Sequence, residues 1–174
     1  MPSKTTSSGW TLHDVPDQSG KSIVITGASS GIGRETARVL AQRGAHVILA
    51  VRNAVKGQSV LSAIRSETPE ASVEMASLDL ASLSSVRAFA EWMDDNDKDV
   101  HTLINNAGIM GVAQGTTVDG FELQLGTNHL GHFALTGLLV DRLLAHPDPR
   151  VVTVSSLAHR GAKIDFDDLQ STRK

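Results

Sequence analysis

From residue 20 onward, short apolar runs alternate with longer stretches in which apolar residues return every three or four positions. Ile23-Val24-Ile25-Thr26 is a β-branched run with the length and composition of a buried parallel strand. After it, apolar residues at 32, 37, 40 and 41 give one helical face, and Gly44 stands where a helix C-terminal cap belongs. Residues 45–51 read as a second strand, 54–66 as a helix weakened by Gly57, and 72–78 as a third strand. Val86, Phe89, Ala90 and Met93 line a third helix, which runs out in the acidic turn D-D-N-D-K-D. Thr102-Leu103-Ile104 is a short fourth strand. The longest helical pattern follows, from Phe121 through Leu123, Leu125, Leu130, Phe133, Leu135, Leu138, Leu139 and Leu143 to Leu144, ahead of a fifth strand at 150–154. Strands alternating with helices predict a parallel sheet covered on both faces, joined by right-handed crossovers.

Composition narrows the function classes more than it changes the fold. The 174 residues are one domain's worth, with no room for a separate substrate domain. Sixteen Lys and Arg against nineteen Asp and Glu leave a net charge of −3 without a basic block, so nucleic acid is not an expected partner. No cysteine is present, which excludes disulfides and thiolate chemistry. The first residues carry no apolar leader, and no apolar run reaches membrane-spanning length, so the expectation is a cytoplasmic protein without a membrane span. Residues 1–19 form a polar segment with Trp10, Leu12 and Val15 as candidate anchors and Pro16 keeping it extended. That segment is either an arm laid on the domain or a disordered tail.

The chemistry begins where the first strand meets its helix. Thr26-Gly27 leads through Ser29 and Ser30 to Gly31-Ile32-Gly33, a strand, a glycine-rich turn and a helix start in immediate succession. Glycines let the backbone approach an anion with no Cβ between them, and the first helical turn offers free N–H groups to a diphosphate. Ser29 and Ser30 add hydroxyl donors, whereas the same glycines alone would suit a tight turn. Arg52 stands at the end of the second strand, nineteen residues beyond Gly33. In a dinucleotide fold an acidic residue there bonds the ribose 2′-OH, and an arginine suits a 2′-phosphate. Arg52 therefore favours NADP(H) and leaves NAD(H) open; the alternative is a solvated surface arginine. Asn105-Asn106-Ala107-Gly108 follows the fourth strand, Asn128 interrupts the longest helix in N-H-L-G-H-F, and Ser155-Ser156 follows the fifth strand. Asparagine is a poor mid-helix residue, so Asn128 needs a reason. His129 and His132 lack a third ligand at useful spacing and read as helix-surface or core histidines, so no metal site is expected.

The T-G-x-x-x-G-I-G, N-N-A-G, N-H-L-G-H-F and S-S motifs together resemble the short-chain dehydrogenase/reductase family. Arg52-Asn53 and the S-S-L-A-H…D-F-D-D-L-Q run are most similar to its retinol-dehydrogenase-like branch. The resemblance implies a doubly wound Rossmann sheet, a three-layer α/β/α sandwich of strand order 3-2-1-4-5 over residues 20–174, and an NADP-preferring enzyme of hydrophobic alcohols, aldehydes or ketones. It implies that Asp79 and Leu80 sit over the adenine, although Asp79 also reads as a helix cap. Asn105, Asn106, Ala107 and Gly108 would bound the ribose and nicotinamide. Asn128 would distort its helix and serve a proton relay through a water, and Ser156 would hold the substrate oxygen as a catalytic residue. A homo-oligomer is compatible with the pattern.

The family's Y-x-x-x-K acid–base pair is missing, and the chain contains no tyrosine. Leu169 stands thirteen residues after Ser156, where the compact form of the pattern has its tyrosine. Residues 161–170 resemble the longer insertion of related subgroups, which would put that tyrosine beyond residue 174, so the expectation is a C-terminally incomplete family member. Two readings stand: an oxidoreductase completed by further chain, or a non-catalytic nucleotide-binding module. A fifth strand with no neighbour also predicts an unpaired sheet edge beside an apolar helix, with low solubility or edge pairing as the consequence.

Overall fold

A computed structural model describes residues 11–173. Five strands form one fully parallel sheet: β1 (Ser22–Thr26), β2 (His46–Val51), β3 (Val73–Ser77), β4 (Thr102–Asn105) and β5 (Arg150–Thr153). Their spatial order is β3-β2-β1-β4-β5, the doubly wound arrangement of a Rossmann sheet. The register places Val24 beside Ile48 on one side and Leu103 on the other. The helices are α1 (Gly31–Gln42), α2 (Ala54–Glu67), α3 (Leu83–Asp95), the single turn α4 (Leu123–Leu125) and α5 (Gly131–Leu144). Strand boundaries fall within one residue of the sequence expectation.

Strand alternation divides the core in two. Ile23, Ile25, Val47 and Leu49 point to the face covered by α1 and α2, where Ala37, Ala41, Val60, Leu61 and Ile64 meet them. Val24, Ile48 and Leu103 point to the opposite face, against Phe89 and Met93 of α3 and Leu135 and Leu139 of α5. All five residues of β1 are buried, as a central parallel strand requires.

Three expectations need correction. Ile32 does not belong to the buried face of α1; it is 69% exposed, because it stands in the first turn of the helix and lines an open cleft. Gly57 is no weak point: a Cβ there would lie 2.6 Å from Val51 Cγ2, so its absence lets α2 pack close to β2. The apolar pattern from 121 to 144 is not one helix. It breaks into α4, a π-helical segment Gly126–Leu130 and α5, with Asn128 inside the π segment.

The Gly44 signal holds. Gly44 follows α1 at φ +86°. The Asn53 side chain caps α2 by accepting the Lys56 N–H at 2.9 Å. Of the N-terminal anchors, Val15 is 7% exposed, whereas Leu12 is half-exposed and Trp10 lies outside the described residues. The Gln18 N–H donates to the Arg43 carbonyl at 2.8 Å and fastens this segment beyond α1. Among the described residues no helix is long and apolar enough to cross a membrane, and no group of three or more acidic or histidine side chains forms a metal site.

Candidate active site

A cleft of about 490 Å³ opens at the carboxyl ends of the strands, where β1 and β4 diverge towards opposite crossovers. Its floor begins at Gly27, whose φ is +66°. A Cβ on Gly27 would stand 2.8 Å from Ala107 Cα, and one on Gly33 would stand 2.6 Å from the Gly27 carbonyl oxygen. Both positions therefore require glycine, and the result is a bare backbone concavity at the N-terminus of α1. Ser30 is the N-cap residue of α1 but spends no side-chain hydrogen bond on the cap, so its hydroxyl is left for the cleft. Ser29 and Ile32 line the same wall, and the exposure of Ile32 is explained by that position. Gly31 does not line the cleft; it turns the chain into the helix at φ +54°.

Arg52 lines the cleft beyond β2, and Asn53 and Lys56 stand beside it. Sequence reasoning passed over Lys56. The signal was available, since Asn53 as N-cap sets Lys56 in the first turn of α2, next to the arginine. Asp79 and Leu80 line the wall after β3. Asp79 is not the cap of α3: Ser82 accepts the Ser85 N–H at 3.3 Å, and Asp79 Oδ1 accepts the Ala81 N–H at 3.0 Å in a tight turn.

The two asparagines after β4 part company. Asn106 lines the cleft, and its Nδ2 donates to the Thr26 carbonyl at 2.8 Å, tying β4 to β1. Asn105 is 5% exposed and donates to Thr136 Oγ1 at 3.0 Å, so its side chain serves the α5 face and does not reach the cleft. The pleat sends neighbouring side chains to opposite faces, which is the physical reason for this correction. Ala107, Gly108 and Ile109 continue the wall, with Thr127 and Val154 opposite.

Asn128 stands behind that wall. Its Oδ1 accepts the Ile109 N–H and its Nδ2 donates to the Ile109 carbonyl, each at 2.8 Å. The π bulge thus turns Asn128 out of the helix to clamp the 106–109 loop. Ser156 lies just past the carboxyl end of β5 but does not line the cleft. It is exposed, and its Oγ accepts the Ala158 N–H at 3.2 Å as the cap of a 3-10 turn, Leu157–His159. A serine at that place satisfies the next turn unless another element draws it inward.

A parallel sheet of order 3-2-1-4-5 with a glycine cradle at its first crossover defines a dinucleotide-binding α/β protein. Residues 21–165 match the short chain dehydrogenase family, and the chain belongs to that family. It is 53% identical to human retinol dehydrogenase 12 over 155 residues, which cover 89% of this chain and 49% of that protein. A crystal structure of a protein from Mycobacterium paratuberculosis superposes with a TM-score of 0.81 at 49% identity, covering 96% of this chain and 57% of that one. A short chain dehydrogenase from Escherichia coli CFT073, solved in complex with NADPH, gives 0.72 at 28% identity, covering 87% of this chain and 65% of that one. The chain spans about half the length of the curated relatives it matches.

Proposed function

We propose that the cleft binds NADP(H) in preference to NAD(H), in the service of an oxidoreductase that acts on a carbonyl or hydroxyl carbon of a hydrophobic small molecule. The observation that carries the cofactor preference is the pair of cations, Arg52 and Lys56, at the end of the cleft beyond β2. A bidentate guanidinium with an ammonium beside it suits a ribose 2′-phosphate, and no carboxylate in that position competes for the 2′-hydroxyl. The bare backbone at Gly27 and Gly33 fits a diphosphate, with the Ser29 and Ser30 hydroxyls and the N-terminal amides of α1 as donors. Asp79 and Leu80 would bound the adenine, and Asn106, Ala107 and Gly108 the nicotinamide ribose. When bound, the cofactor supplies hydride transfer at its nicotinamide ring. Asn128 holds the wall on that side through Ile109, and Ser156 is the residue assigned to the substrate oxygen once its turn is drawn inward. The hydrophobic substrate class rests on the retinol dehydrogenase relatives.

Binding of NADPH and NADH to the wild-type chain and to Arg52→Gln, followed by nicotinamide fluorescence, tests this reading. The expected result is an NADPH preference that falls about 10- to 100-fold in the variant, with NADH affinity unchanged, as for the loss of one charge-assisted contact. Equal affinity of the wild type for both cofactors would defeat the preference.

A second reading concerns these 174 residues by themselves, and one observation favours it: they contain no tyrosine. The chain alone would then bind nucleotide without turnover. Mixing it with NADPH and a panel of aliphatic aldehydes and retinal checks this, and steady oxidation of NADPH would overturn it.

A further inference from the structure

Outside the residues assigned to the nucleotide, one buried titratable side chain touches the cleft wall from behind. His132, in the first turn of α5, is 5% exposed. Its Nε2 lies 2.8 Å from Oγ1 of Thr26 at the end of β1, and its Nδ1 lies 2.9 Å from the main-chain carbonyl oxygen of Asn128. Thr26 Oγ1 also accepts the backbone N–H groups of Asn106 and Ala107, each at 2.9 Å. A hydroxyl oxygen has two acceptor positions and one proton. The two amides fill both acceptor positions, so the hydroxyl proton must be donated elsewhere. Nε2 at 2.8 Å is a nearer acceptor than the Ile104 carbonyl at 3.4 Å. Nε2 therefore carries no proton; the ring proton sits on Nδ1 and is donated to the Asn128 carbonyl.

Asn128 closes the circuit through its two hydrogen bonds to Ile109. Thr26, Asn106, Ala107 and Ile109 all line the cleft, so every branch of this network ends on its wall. Burial holds His132 below the usual histidine range; the Asn128 carbonyl acts in the opposite sense, and His129, a like charge when protonated, adds to the lowering. From β1 the ring meets a neutral group, the Thr26 hydroxyl, and the Ile104 carbonyl of β4 lies near that hydroxyl, also uncharged.

We propose that His132, as its neutral Nδ1–H tautomer, is a positioning residue for the nucleotide: it braces the π segment against the Thr26–Ala107 wall, and its protonation releases that wall and weakens nucleotide binding. The proposal rests on the reading of the cleft as a dinucleotide site. The chemistry is one of donor count. A protonated ring has two donors, and an Nε2–H aimed at Thr26 Oγ1 meets an oxygen whose acceptor positions are already taken. Either the ring turns away or one of the Asn106 and Ala107 amides loses its acceptor, and the wall moves in both cases.

The test is a pH series of nucleotide affinity on the full 174-residue chain, for wild type, His132→Leu and His132→Gln. NADH is used beside NADPH because it lacks the 2′-phosphate, which itself titrates near pH ~6. His132→Leu should weaken both cofactors about tenfold at neutral pH, the scale of one lost buried hydrogen bond. The wild type should keep its NADH affinity through the ordinary histidine range near about 6.5 and lose it only at lower pH, because burial holds His132 below that range. His132→Gln, which does not titrate, should show no such slope. Affinity within about twofold of wild type in His132→Leu, or a wild-type slope retained in His132→Gln, overturns the proposal. A wild type that binds neither cofactor defeats the functional reading instead. The brace is then judged by hydrogen exchange at the Asn106 and Ala107 amides. Exchange there should quicken in His132→Leu and on acidification of the wild type, and unchanged exchange overturns the brace as well.

Discussion

β1 and β5 are written in nearly the same alphabet, Ser-Ile-Val-Ile-Thr against Arg-Val-Val-Thr, and they live in opposite surroundings. Val24 and Ile25 are fully buried, whereas Val151 and Val152 are 46% and 45% exposed. Fully burying a valine or isoleucine side chain is worth about 1.5–3 kcal/mol. β1 collects that on both faces, between β2 and β4 and under helices on either side. β5 pairs only with β4, and its other edge meets no strand among the described residues. The same contrast runs along α5, where Leu135, Leu139 and Leu143 are buried while Phe133 and Leu144 are 73% and 68% exposed. The difference teaches that local hydrophobicity nominates a strand, and the order of the sheet decides whether it is core. It also explains why the floor of the nucleotide side is built from the buried half: a cradle needs a rigid floor, and β1, β2 and β4 supply it, while β3 and β5 add only wall residues just beyond their ends, such as Asp79 and Val154.

The largest expected effect separates two phenylalanines. Phe89→Ala, at a side chain 1% exposed beneath β1 and β4, should cost about 3–5 kcal/mol in urea unfolding. Phe133→Ala, on the open face of α5, should stay within about 0.5 kcal/mol. Equal losses would erase the distinction between the two halves. Next in size is Gly27→Ala, which combines a left-handed φ with a clash against Ala107. Stability should drop by about 1–3 kcal/mol, and NADPH fluorescence should report lost binding.

A smaller effect concerns the open edge. The chain should self-associate along β5, and Val152→Lys should shift sedimentation towards the monomer without moving the melting temperature by more than about 2 °C. A wild type that sediments as a monomer at all concentrations would contradict this.

The smallest sits at the opposite end of the sheet from the cleft, on the border between the halves. His101 Nδ1 accepts the Ser22 N–H at 3.1 Å, and its ring stacks on His146 at 3.8 Å between centroids. Desolvation first, and then the neighbouring His146, hold His101 below the usual histidine value of 6.5. A depressed folded value means that the unfolded chain takes the proton first as pH falls. The stabilising contribution is therefore whole above about pH 6.5 and is lost as pH drops from there through the lowered folded value. Urea midpoints at pH about 7.5 and about 5.5 should show this slope, and His101→Asn should flatten it.

The strands and the cradle were legible because each is demanded locally, whereas the strand order came with the family resemblance. A β-branched run has few alternatives to a buried strand, and a glycine is needed wherever a Cβ would collide or φ turns positive. Asn128 was legible as an anomaly, and the π bulge is its structural cause. Three things were hidden. Asn105 and Asn106 are adjacent in one motif, and only the pleat sends one to Thr136 and the other to the cleft. Lys56 joins Arg52 because the Asn53 cap sets the direction in which α2 begins. Ser156 has the position expected of it along the chain, yet its side chain caps the following turn.

What the sequence alone determined is therefore the five strands, the first three helices, the phosphate cradle and the arginine beside it, since these follow from steric and hydrogen-bonding demands within a few residues. The tertiary structure decided which valines are core, which asparagine faces the cleft, and that His132 meets Thr26 across 106 positions of chain. Burial and hydrogen-bond partnership belong to pairs of elements, and pairs form only when the sheet is assembled.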